Sequence, residues 1–383
     1  MLEAVAHCWL RAIDWLSAHA VEPVLALLHL DTQLGAPDDI AEALLIAALQ
    51  IAIIACILRP LETLAPAEVW KDRALTRVDR RFTLILVAGL NPLFAFLALT
   101  PLANPEGAGG AGVGAPFQGL LHLIPHIDAH PWLAFGLYYV VYDLSYYWMH
   151  RAQHAIPWWW ALHSMHHSQR QVNCWTNERV SWLDVVLQSC ALAAVGQLMG
   201  VDVGQFALLE LASQLMQELS HTNTRLGFGR ILERLLVGPP FHRLHHMRVD
   251  PSRPNLHNCN YGQLLSVWDN LFGTALYGEP VRPTGVGDPV VDADNGRGVM
   301  AMQWYTLRRF WGAFTSRDGW KPQEVAFGES YRPVPVSRLD PHTFAPDTAV
   351  TTLRRDMAPS DEERRKPLVG RDEAGTAGAA IRT

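Results

Sequence analysis

The chain contains four long apolar segments in which charged residues are almost absent. Residues 43–58, 82–105 and 185–201 contain no charged residue, and residues 131–149 contain only Asp143. A helix needs about 20 mostly apolar residues to cross the hydrocarbon core of a bilayer, and slightly shorter segments are tolerated. The pattern therefore predicts an all-α fold, an integral membrane helical bundle with about four transmembrane helices.

Two further segments belong at the membrane by their pattern. Residues 203–220 are apolar but interrupted by Glu210 and Glu218, so this segment either packs inside the bundle or dips into the bilayer. Residues 9–30 have the amphipathic pattern of a helix that lies in the membrane interface. Because charged residues break the apolar run there, we interpret residues 1–39 as an N-terminal interfacial segment and not as a cleavable signal peptide.

Of the 17 histidines, eight form three tight clusters, with His221 between the second and the third. Residues at i, i+3 and i+4 share one face of a helix, so we expect each cluster to point its imidazoles in one direction. Neutral imidazole binds iron, copper, zinc or nickel, and eight imidazoles exceed the three or four that one tetrahedral zinc uses. The spacing predicts a site for two metal ions. The clusters are His150 and His154; His163, His166 and His167; and His242, His245 and His246.

His7, His19, His29 and His342 are interpreted as ordinary polar residues, and so is the group of His122, His126 and His130. His122, His126 and His130 have a similar spacing, but Pro125 interrupts any helix there. For the three clusters the ordinary interpretation is weaker, because burying eight unliganded imidazoles close together would cost several kcal/mol with nothing gained.

The distribution of basic residues predicts the orientation in the membrane. Residues 59–81 contain six lysines and arginines, whereas residues 104–130 contain none. Cytoplasmic loops carry the excess of basic residues, so residues 59–81 are predicted to be cytoplasmic. The following spans then return all three histidine clusters to that side. We expect a multi-pass protein with a cytoplasmic helical cap that holds the histidine-rich dimetal site.

Composition narrows the possible partners. The formal net charge of −6 argues against a nucleic-acid partner. The five cysteines show no metal-binding spacing, so we expect them to be free and reduced. The glycine-rich residues 107–114 lack the strand and helix context of a nucleotide-binding loop and are interpreted as a linker.

The chain changes character after about residue 278. We interpret residues 279–330 as an amphipathic segment, in which residues 299–314 carry aromatic side chains beside Arg308 and Arg309. This part either lies on the lipid headgroups or packs as a helix against the protein. Residues 331–383 are predicted to be a disordered tail, because they have little to bury.

The residues around the clusters resemble the fatty acid hydroxylase and sterol desaturase superfamily of membrane di-iron oxygenases. The resemblance covers about residues 131–278, with the motifs HxxxH, HxxHH and a second HxxHH in that order. It implies a fatty acid hydroxylase-type catalytic domain over residues 131–278, preceded by a first transmembrane pair and its loops at residues 40–130. The motifs beyond the histidines are Asp143 ahead of Tyr147-Trp148-Met149-His150-Arg151, Asn173 and Arg179, Asn260-Tyr261-Gly262, and Trp268-Asp269-Asn270-Leu271-Phe272-Gly273-Thr274.

The resemblance also implies two iron ions bound by histidines, with few or no carboxylates. Arg225 stands four residues after His221, where a subset of relatives has a further histidine. Carried over residue by residue, the ligands are His150, His154, His163, His166, His167, His242, His245 and His246, with His221 as the intervening histidine and His257 as a tenth.

Some residues without imidazoles are further candidates. Asp143 lies two helical turns before the first cluster. Its carboxylate is expected to orient an imidazole by accepting the second N–H, and a helix-packing hydrogen bond is the alternative. Asn173 and Arg179 follow the second cluster, and they are expected either to line the substrate entrance or to serve in surface packing. Glu218 and His221 have the i, i+3 spacing of the Glu-x-x-His element in soluble di-iron bundles.

The resemblance implies the chemistry. Two ferrous ions that reduce O2 produce an oxidant able to attack an unactivated C–H bond, which no side chain does unaided. The predicted function is therefore hydroxylation of a lipid, which is a sterol, a fatty acyl chain, an alkyl lipid or a carotenoid, with O2 as co-substrate. Desaturation by the same site is the alternative. No haem, flavin or iron–sulfur segment is recognisable, so a separate ferredoxin-like or cytochrome-type electron donor is expected.

Two rival functions remain. A metal transporter would spread its histidines along the depth of the bilayer, whereas these clusters follow the predicted spans. A dinuclear zinc hydrolase would usually contain bridging carboxylates, and no Asp or Glu lies within the three clusters.

Overall fold

The computed structural model describes residues 2–29, 36–70, 72–90, 119–201, 203–249 and 258–315. Within these ranges the chain is all-helical, and extended pairing is limited to isolated β-bridges such as Pro66 with Thr224. The prediction of an all-α fold is confirmed for this part of the chain. The predicted tail, the glycine-rich linker and most of the predicted span at residues 82–105 lie outside the described residues.

The N-terminal third forms helices joined by π-helical turns. Ser17–Val21 connects the first two helices and Ile54–Leu58 connects the third and fourth, so each pair continues without a break. Ile13, Val21 and Leu25 pack against Ala41 of the third helix. The helices are α1 at Leu2–Leu16, α2 at Glu22–Leu28, α3 at Pro37–Ile53, α4 at Arg59–Leu64 and α5 at Ala74–Ile85.

Prolines mark the starts of several helices in the second part of the chain. Pro131, Pro157 and Pro239 each stand in the first turn, where a missing N–H costs nothing. The helices are α6 at Pro131–Ala155, α7 at Pro157–His167, α8 at Trp182–Met199, α9 at Val203–Ser220, α10 at Gly229–Leu232, α11 at Pro239–His245, α12 at Val267–Phe272, α13 at Pro289–Asp292 and α14 at Val299–Thr315.

Among the described residues, two helical stretches are long and apolar enough to cross a membrane. They are Pro37–Leu64, with 28 residues, and Trp182–Met199, with 18. They contain most of the predicted spans at residues 43–58 and 185–201. The other predicted spans, and with them the total of four, remain predictions.

The core places α7 between helices from distant parts of the chain. The tyrosines Tyr138, Tyr142 and Tyr146 of α6 pack with Leu192 and Met199 of α8, and Trp159 of α7 packs against this cluster. On the other side, Met165 of α7 packs with Phe82 of α5 and with Val299 and Met302 of α14. The helix that carries the second histidine cluster is therefore enclosed on several sides.

Helix α14 has two different faces. Met302, Thr306 and Arg309 are buried, whereas Trp304 and Trp311 are exposed. The buried face packs against α7, as in the interpretation of a packed helix. Contact of the exposed aromatic face with lipid headgroups remains a prediction.

Candidate metal centre

Nine buried imidazoles form two groups of possible metal ligands. Within each group the candidate ligand atoms lie within 4.8 Å of one another, and neither group contains a carboxylate or a thiol. The groups adjoin, because the rings of His167 and His246 are stacked with centroids 4.4 Å apart. Group 1 consists of His150, His154, His163, His167 and His245, and group 2 of His166, His221, His242 and His246.

The two HxxHH clusters are each divided between the groups. His163 and His167, which are four residues apart, belong to group 1, and His166 between them belongs to group 2. Successive residues on a helix are about 100° apart, so neighbouring imidazoles point in different directions. The third cluster is divided in the opposite sense, with His245 alone in group 1. The expectation that each cluster points in one direction is therefore wrong for these two clusters.

The nitrogens of group 2 converge on one point. Nε2 of His221 lies 3.1 Å from Nε2 of His166, 3.0 Å from that of His242 and 3.2 Å from that of His246. Two nitrogens that each lie about 2.1 Å from a shared ion are separated by about 3.0 to 3.4 Å, depending on the angle between them. The spacing is that of ligands around a common ion.

Hydrogen bonds determine the tautomers of several ligands. Nδ1 of His150 lies 2.8 Å from the Tyr261 carbonyl oxygen, and Nδ1 of His245 lies 2.7 Å from that of Cys259. A carbonyl oxygen only accepts, so each Nδ1 must carry the hydrogen, and in the neutral ring Nε2 then has a lone pair. Histidines that bind metals commonly donate their second N–H in this way.

Three nitrogens of group 1 have no hydrogen-bond partner among the described residues. Nε2 of His150, His163 and His245 is buried and unpaired in this part of the chain. Leaving a buried polar atom unpaired costs about 1 to 3 kcal/mol. A cation placed among these lone pairs would satisfy all three, so the donor set fits a metal ion.

Burial keeps the imidazoles neutral, which is the form that binds metals. It lowers the pKa of His245 to about 3 and that of His221 to about 4, with smaller contributions from neighbouring imidazoles. It also lowers the pKa of His167 and His246 well below the ordinary value. The site is therefore prepared for a metal at neutral pH.

Asp184, which the sequence motifs do not identify, supports group 1. Its carboxylate lies 3.3 Å from Nδ1 of His163 and accepts hydrogen bonds from Nε2 of Gln153 at 2.9 Å and from Nε1 of Trp159 at 2.8 Å. Asp184 lies in the first turn of α8, 21 residues beyond His163. Only the fold brings it to the ligand, although its position as a lone acid in the first turn of an apolar helix is a signal that could have been noticed.

Asp143 does not orient an imidazole of the metal centre. Within the described residues, its oxygens accept from the backbone N–H groups of Leu264 and Leu265 and from Nε1 of Trp268, and not from an imidazole. The carboxylate instead attaches α6 to the segment that follows Tyr261. The expected orientation of an imidazole by Asp143 is therefore wrong.

Asn173 and Arg179 are buried in a network beneath the second cluster. Arg179, fully buried, donates to Asp79, to the carbonyl of Met165 and to Ser168. Nδ2 of Asn173 lies 3.1 Å from the same Asp79 carboxylate. Because these side chains are enclosed and hydrogen-bonded, they do not line an entrance in this structure. They hold the end of α7 that carries the ligands.

The remaining histidine predictions have mixed outcomes. His122, His126 and His130 are exposed and belong to neither group, as expected from the interpretation as ordinary polar residues. His257 lies outside the described residues. Glu218 is buried and accepts from Gln50 and Asn177, and it is in neither group.

Comparison with known proteins agrees with this site. Residues 135–274 match the family model of the fatty acid hydroxylases. The chain is 28% identical to an alkylglycerol monooxygenase of Danio rerio over 207 residues, which is 52% of this chain and 44% of the relative. No solved structure matches the chain.

Two further relatives are named for different activities. An ornithine lipid hydroxylase of Rhizobium tropici is 28% identical over 149 residues, covering 38% of this chain and 42% of the relative. A Delta(7)-sterol 5(6)-desaturase of Gibberella zeae is 30% identical over 156 residues, covering 40% of this chain and 46% of the relative. The chain thus spans less than half the length of these three relatives. Residues 135–274, which match the fatty acid hydroxylase family model, include both groups of histidines.

Proposed function

We propose that the protein is a membrane di-iron oxygenase that hydroxylates an unactivated C–H bond of a lipid, with O2 as co-substrate and electrons from a separate donor. The observation that carries the proposal is the pair of adjoining histidine groups, nine buried imidazoles in two clusters of possible ligand atoms. The similarity to an alkylglycerol monooxygenase and to an ornithine lipid hydroxylase supports the reaction class.

The donor set favours redox chemistry over hydrolysis. Dinuclear hydrolytic sites usually contain bridging carboxylates, and both groups are composed of imidazoles alone. Imidazole suits iron, copper, zinc and nickel, so the choice of iron comes from the family and not from the ligands. When bound, two iron ions supply the activation of O2 that C–H oxidation requires.

The chain itself supplies orientation and protection from water. Each of the nine imidazoles is at most 6% exposed, so a bound metal would be shielded from bulk solvent and from side reactions. Carbonyl oxygens of Tyr261 and Cys259 hold two of the rings, and Asp184 holds a third. His257 remains a proposed tenth ligand.

We further propose a multi-pass topology with the metal centre on the cytoplasmic side. The apolar helices Pro37–Leu64 and Trp182–Met199 support membrane insertion, and the basic residues at 59–81 support the orientation. A ferredoxin-like or cytochrome-type protein on that side would deliver electrons. The exposed Trp304 and Trp311 of α14 fit a helix that rests on lipid headgroups.

Desaturation of a lipid is the second candidate, and the similarity to a sterol desaturase favours it. Both reactions begin by removing hydrogen from an unactivated carbon, so the ligands alone do not distinguish them. A histidine-rich metal transporter is less consistent, because the two groups adjoin and do not form a path through the molecule.

Metal content per chain is the decisive experiment. We would purify the full chain in detergent after iron-replete expression, together with His166→Ala in group 2, His245→Ala in group 1, and His7→Ala, an exposed histidine, as the matched control. We expect close to two irons in the wild type and the control, and clear loss in the two ligand variants. One zinc, or no metal, in the wild type would contradict the proposal.

The product distinguishes the two reactions. The same preparations, supplied with O2, a reducing system and a lipid panel of alkylglycerols, ornithine lipids, sterols, fatty acyl lipids and carotenoids, would be analysed by mass spectrometry. A product with one added oxygen atom indicates hydroxylation, and a product that has lost two hydrogens indicates desaturation. Oxidation that persists in both ligand variants would exclude the assigned ligands.

A further inference from the structure

A basic cavity lies beside helix α11, apart from the two histidine groups. Its volume is about 440 Å3, and its walls include Phe241, Arg243 and Leu244 of α11. The histidines of α11 are not among its lining residues. Three more arginines line it, Arg225, Arg230 and Arg234. Four guanidinium groups around one cavity of this size need an explanation that the metal centre does not provide.

Positive charge exceeds negative charge in this cavity. Its acidic lining residues are Glu233 and Glu279, and the Glu279 carboxylate already accepts from Arg282 at 2.8 Å. Among the four arginines, Arg243 forms an ion pair with Glu68 at 2.6 Å. The exposed arginines at positions 225, 230 and 234 leave a net positive charge at the opening.

The chemistry of the walls suits a phosphate. Guanidinium groups are planar forks that bind phosphate oxygens in pairs, and several of them around one anion add affinity and direction. Arg234 lies over the ring of Tyr277, 5.3 Å from its centroid, which restrains the guanidinium before any ligand binds. The apolar side chains of Phe241 and Leu244 offer a surface to the carbon atoms next to a phosphate.

Exposed apolar residues that directly follow the lining arginines in the chain, here called the apolar rim, favour a lipid over a free anion. Each of the exposed arginines is followed by an exposed apolar residue, namely Leu226, Ile231 and Leu235, with 50%, 79% and 48% of their surface exposed. Interleaved basic and apolar side chains are typical of surfaces that contact anionic lipids, where the apolar groups enter the acyl region and the cations meet the phosphates.

We infer that this cavity binds the phosphate of an anionic membrane lipid, with the acyl chains against the apolar rim. The inference is independent of the proposed oxidation, since it rests on the lining and rim of a cavity that contains none of the metal-binding histidines. Because α11 carries a wall of the cavity together with His242 and His245 and leads directly into His246, an occupied cavity would also restrain the helix that positions the third histidine cluster.

Binding to the purified, metal-loaded full chain in a nonionic detergent tests the inference. The probes are dihexanoyl phosphatidic acid, dihexanoylglycerol, which lacks only the phosphate, and inorganic phosphate. The pocket variant is Arg225→Gln with Arg234→Gln, and the control is Arg77→Gln with Arg80→Gln, which removes two exposed arginines from α5. Metal content reports whether each variant is folded, and a charge-preserving Arg225→Lys/Arg234→Lys variant is measured beside them.

We expect the phosphatidic acid to bind the wild type and the control equally, with a Kd about tenfold higher or more in the pocket variant. The Kd of the lysine variant for the phosphatidic acid should lie between those of the wild type and the pocket variant, and dihexanoylglycerol should bind weakly. An unchanged Kd in the pocket variant, or equal binding of dihexanoylglycerol, would overturn the inference. Inorganic phosphate that binds as tightly as the phosphatidic acid would overturn the lipid as the source. If the pocket variant keeps its affinity for the lipid but no longer binds an acidic electron-donor protein, the cavity binds a protein partner and the lipid inference is wrong.

Discussion

At the scale of single residues, the Nδ1 atoms of the histidines determine what the Nε2 atoms can do. Nδ1 of His150, His221 and His245 faces a backbone carbonyl oxygen at 2.7 to 2.8 Å. Each ring is thereby restrained in one orientation and one tautomer before a metal binds. His163 differs, because its Nδ1 faces the carboxylate of Asp184, which adds a negative charge to the support.

Replacing Asp184 by asparagine should weaken metal binding at group 1. The amide keeps an oxygen for Trp159 and Gln153, but it removes the charge that holds His163. Loss of such a supporting group typically costs about 10-fold to 100-fold in metal affinity. Competition with a chelator measures the effect, with the exposed Asp14→Asn as the control. If Asp184→Asn resists the chelator as well as the control does, the carboxylate does not support the ligand.

The lowered pKa values of His221 and His245 predict how stability depends on pH. In the unfolded chain these imidazoles have a pKa of about 6.5, whereas burial lowers the folded pKa to about 4 and about 3. Below pH 6.5 the unfolded chain therefore binds more protons than the folded chain, so the free energy of unfolding of chelator-treated protein should fall as the pH decreases from 6.5 toward 4.

Chemical denaturation at pH 7.5, 6.5, 5.5 and 4.5 measures this dependence. The double variant His221→Gln/His245→Gln should show a shallower loss, and the difference from the wild type isolates the two imidazoles from other titrating groups. Parallel curves for the two proteins would show that folding does not lower the pKa of these two imidazoles.

The histidines of the two groups could be predicted from their spacing. The groups that hydrogen-bond to their Nδ1 atoms, such as Asp184, depend on the fold. His163 and Asp184 are 21 residues apart, and contact between them depends on how α7 and α8 pack. Asp143 was a reasonable candidate because it lies two turns before His150 on the same helix. Its carboxylate is instead used by Leu264, Leu265 and Trp268, which no local pattern associates with it.

At the scale of helices, α7 is one of two elements that contribute to both groups, and its C-terminal end is held by buried charge. The Arg179 guanidinium bridges the carbonyl of Met165, next to His166, and the carboxylate of Asp79 on α5. A buried ion pair contributes little net stability when it is complete, but removal of one partner leaves a charge buried without compensation.

Arg179→Met should therefore destabilise the fold by about 3 to 5 kcal/mol, because it leaves Asp79 without its cation. The double variant Asp79→Asn/Arg179→Met should recover part of the loss. Denaturation midpoints of the purified proteins measure both effects, and Arg77→Met, an exposed arginine of α5, serves as the control. An Arg179→Met protein as stable as the control would exclude the ion pair as a support of α7.

Helical periodicity predicted these elements better than it predicted their relations. The apolar run at residues 131–149 indicated a helix, and α6 continues through His150 and His154 to Ala155. The division of each HxxHH cluster follows from the same 100° rotation per residue. The division could have been predicted on the assumption that each of α7 and α11 faces two metal ions, one on each side.

At the scale of the whole molecule, cysteine accessibility can test the proposed membrane insertion. Cys56 lies in Pro37–Leu64 and Cys190 in Trp182–Met199, and both are exposed on the protein surface, as is Cys8. Cys174 and Cys259 are buried. A surface thiol that faces lipid reacts poorly with a water-soluble reagent, because the thiolate that reacts is disfavoured there.

In open membrane fragments, a polymer-linked maleimide should label Cys8 alone, and after denaturation in SDS it should label all five cysteines. The gel shift counts the labels. In Cys56→Ser/Cys190→Ser the membrane label should be unchanged, and the denatured protein should lose two labels. Labelling of Cys56 and Cys190 in the membrane fragments before denaturation would mean that both helices face water.

The division of neighbouring histidines between two ion positions also affects how the centre assembles. His166 and His167 are adjacent in the chain, as are His245 and His246, yet each pair serves both positions. An ion that enters one position orders the same short helices that present ligands to the other, and that ordering then need not be repeated. Occupancy should consequently be cooperative, so that a half-loaded preparation is a mixture of complete and empty molecules rather than a population with one ion each.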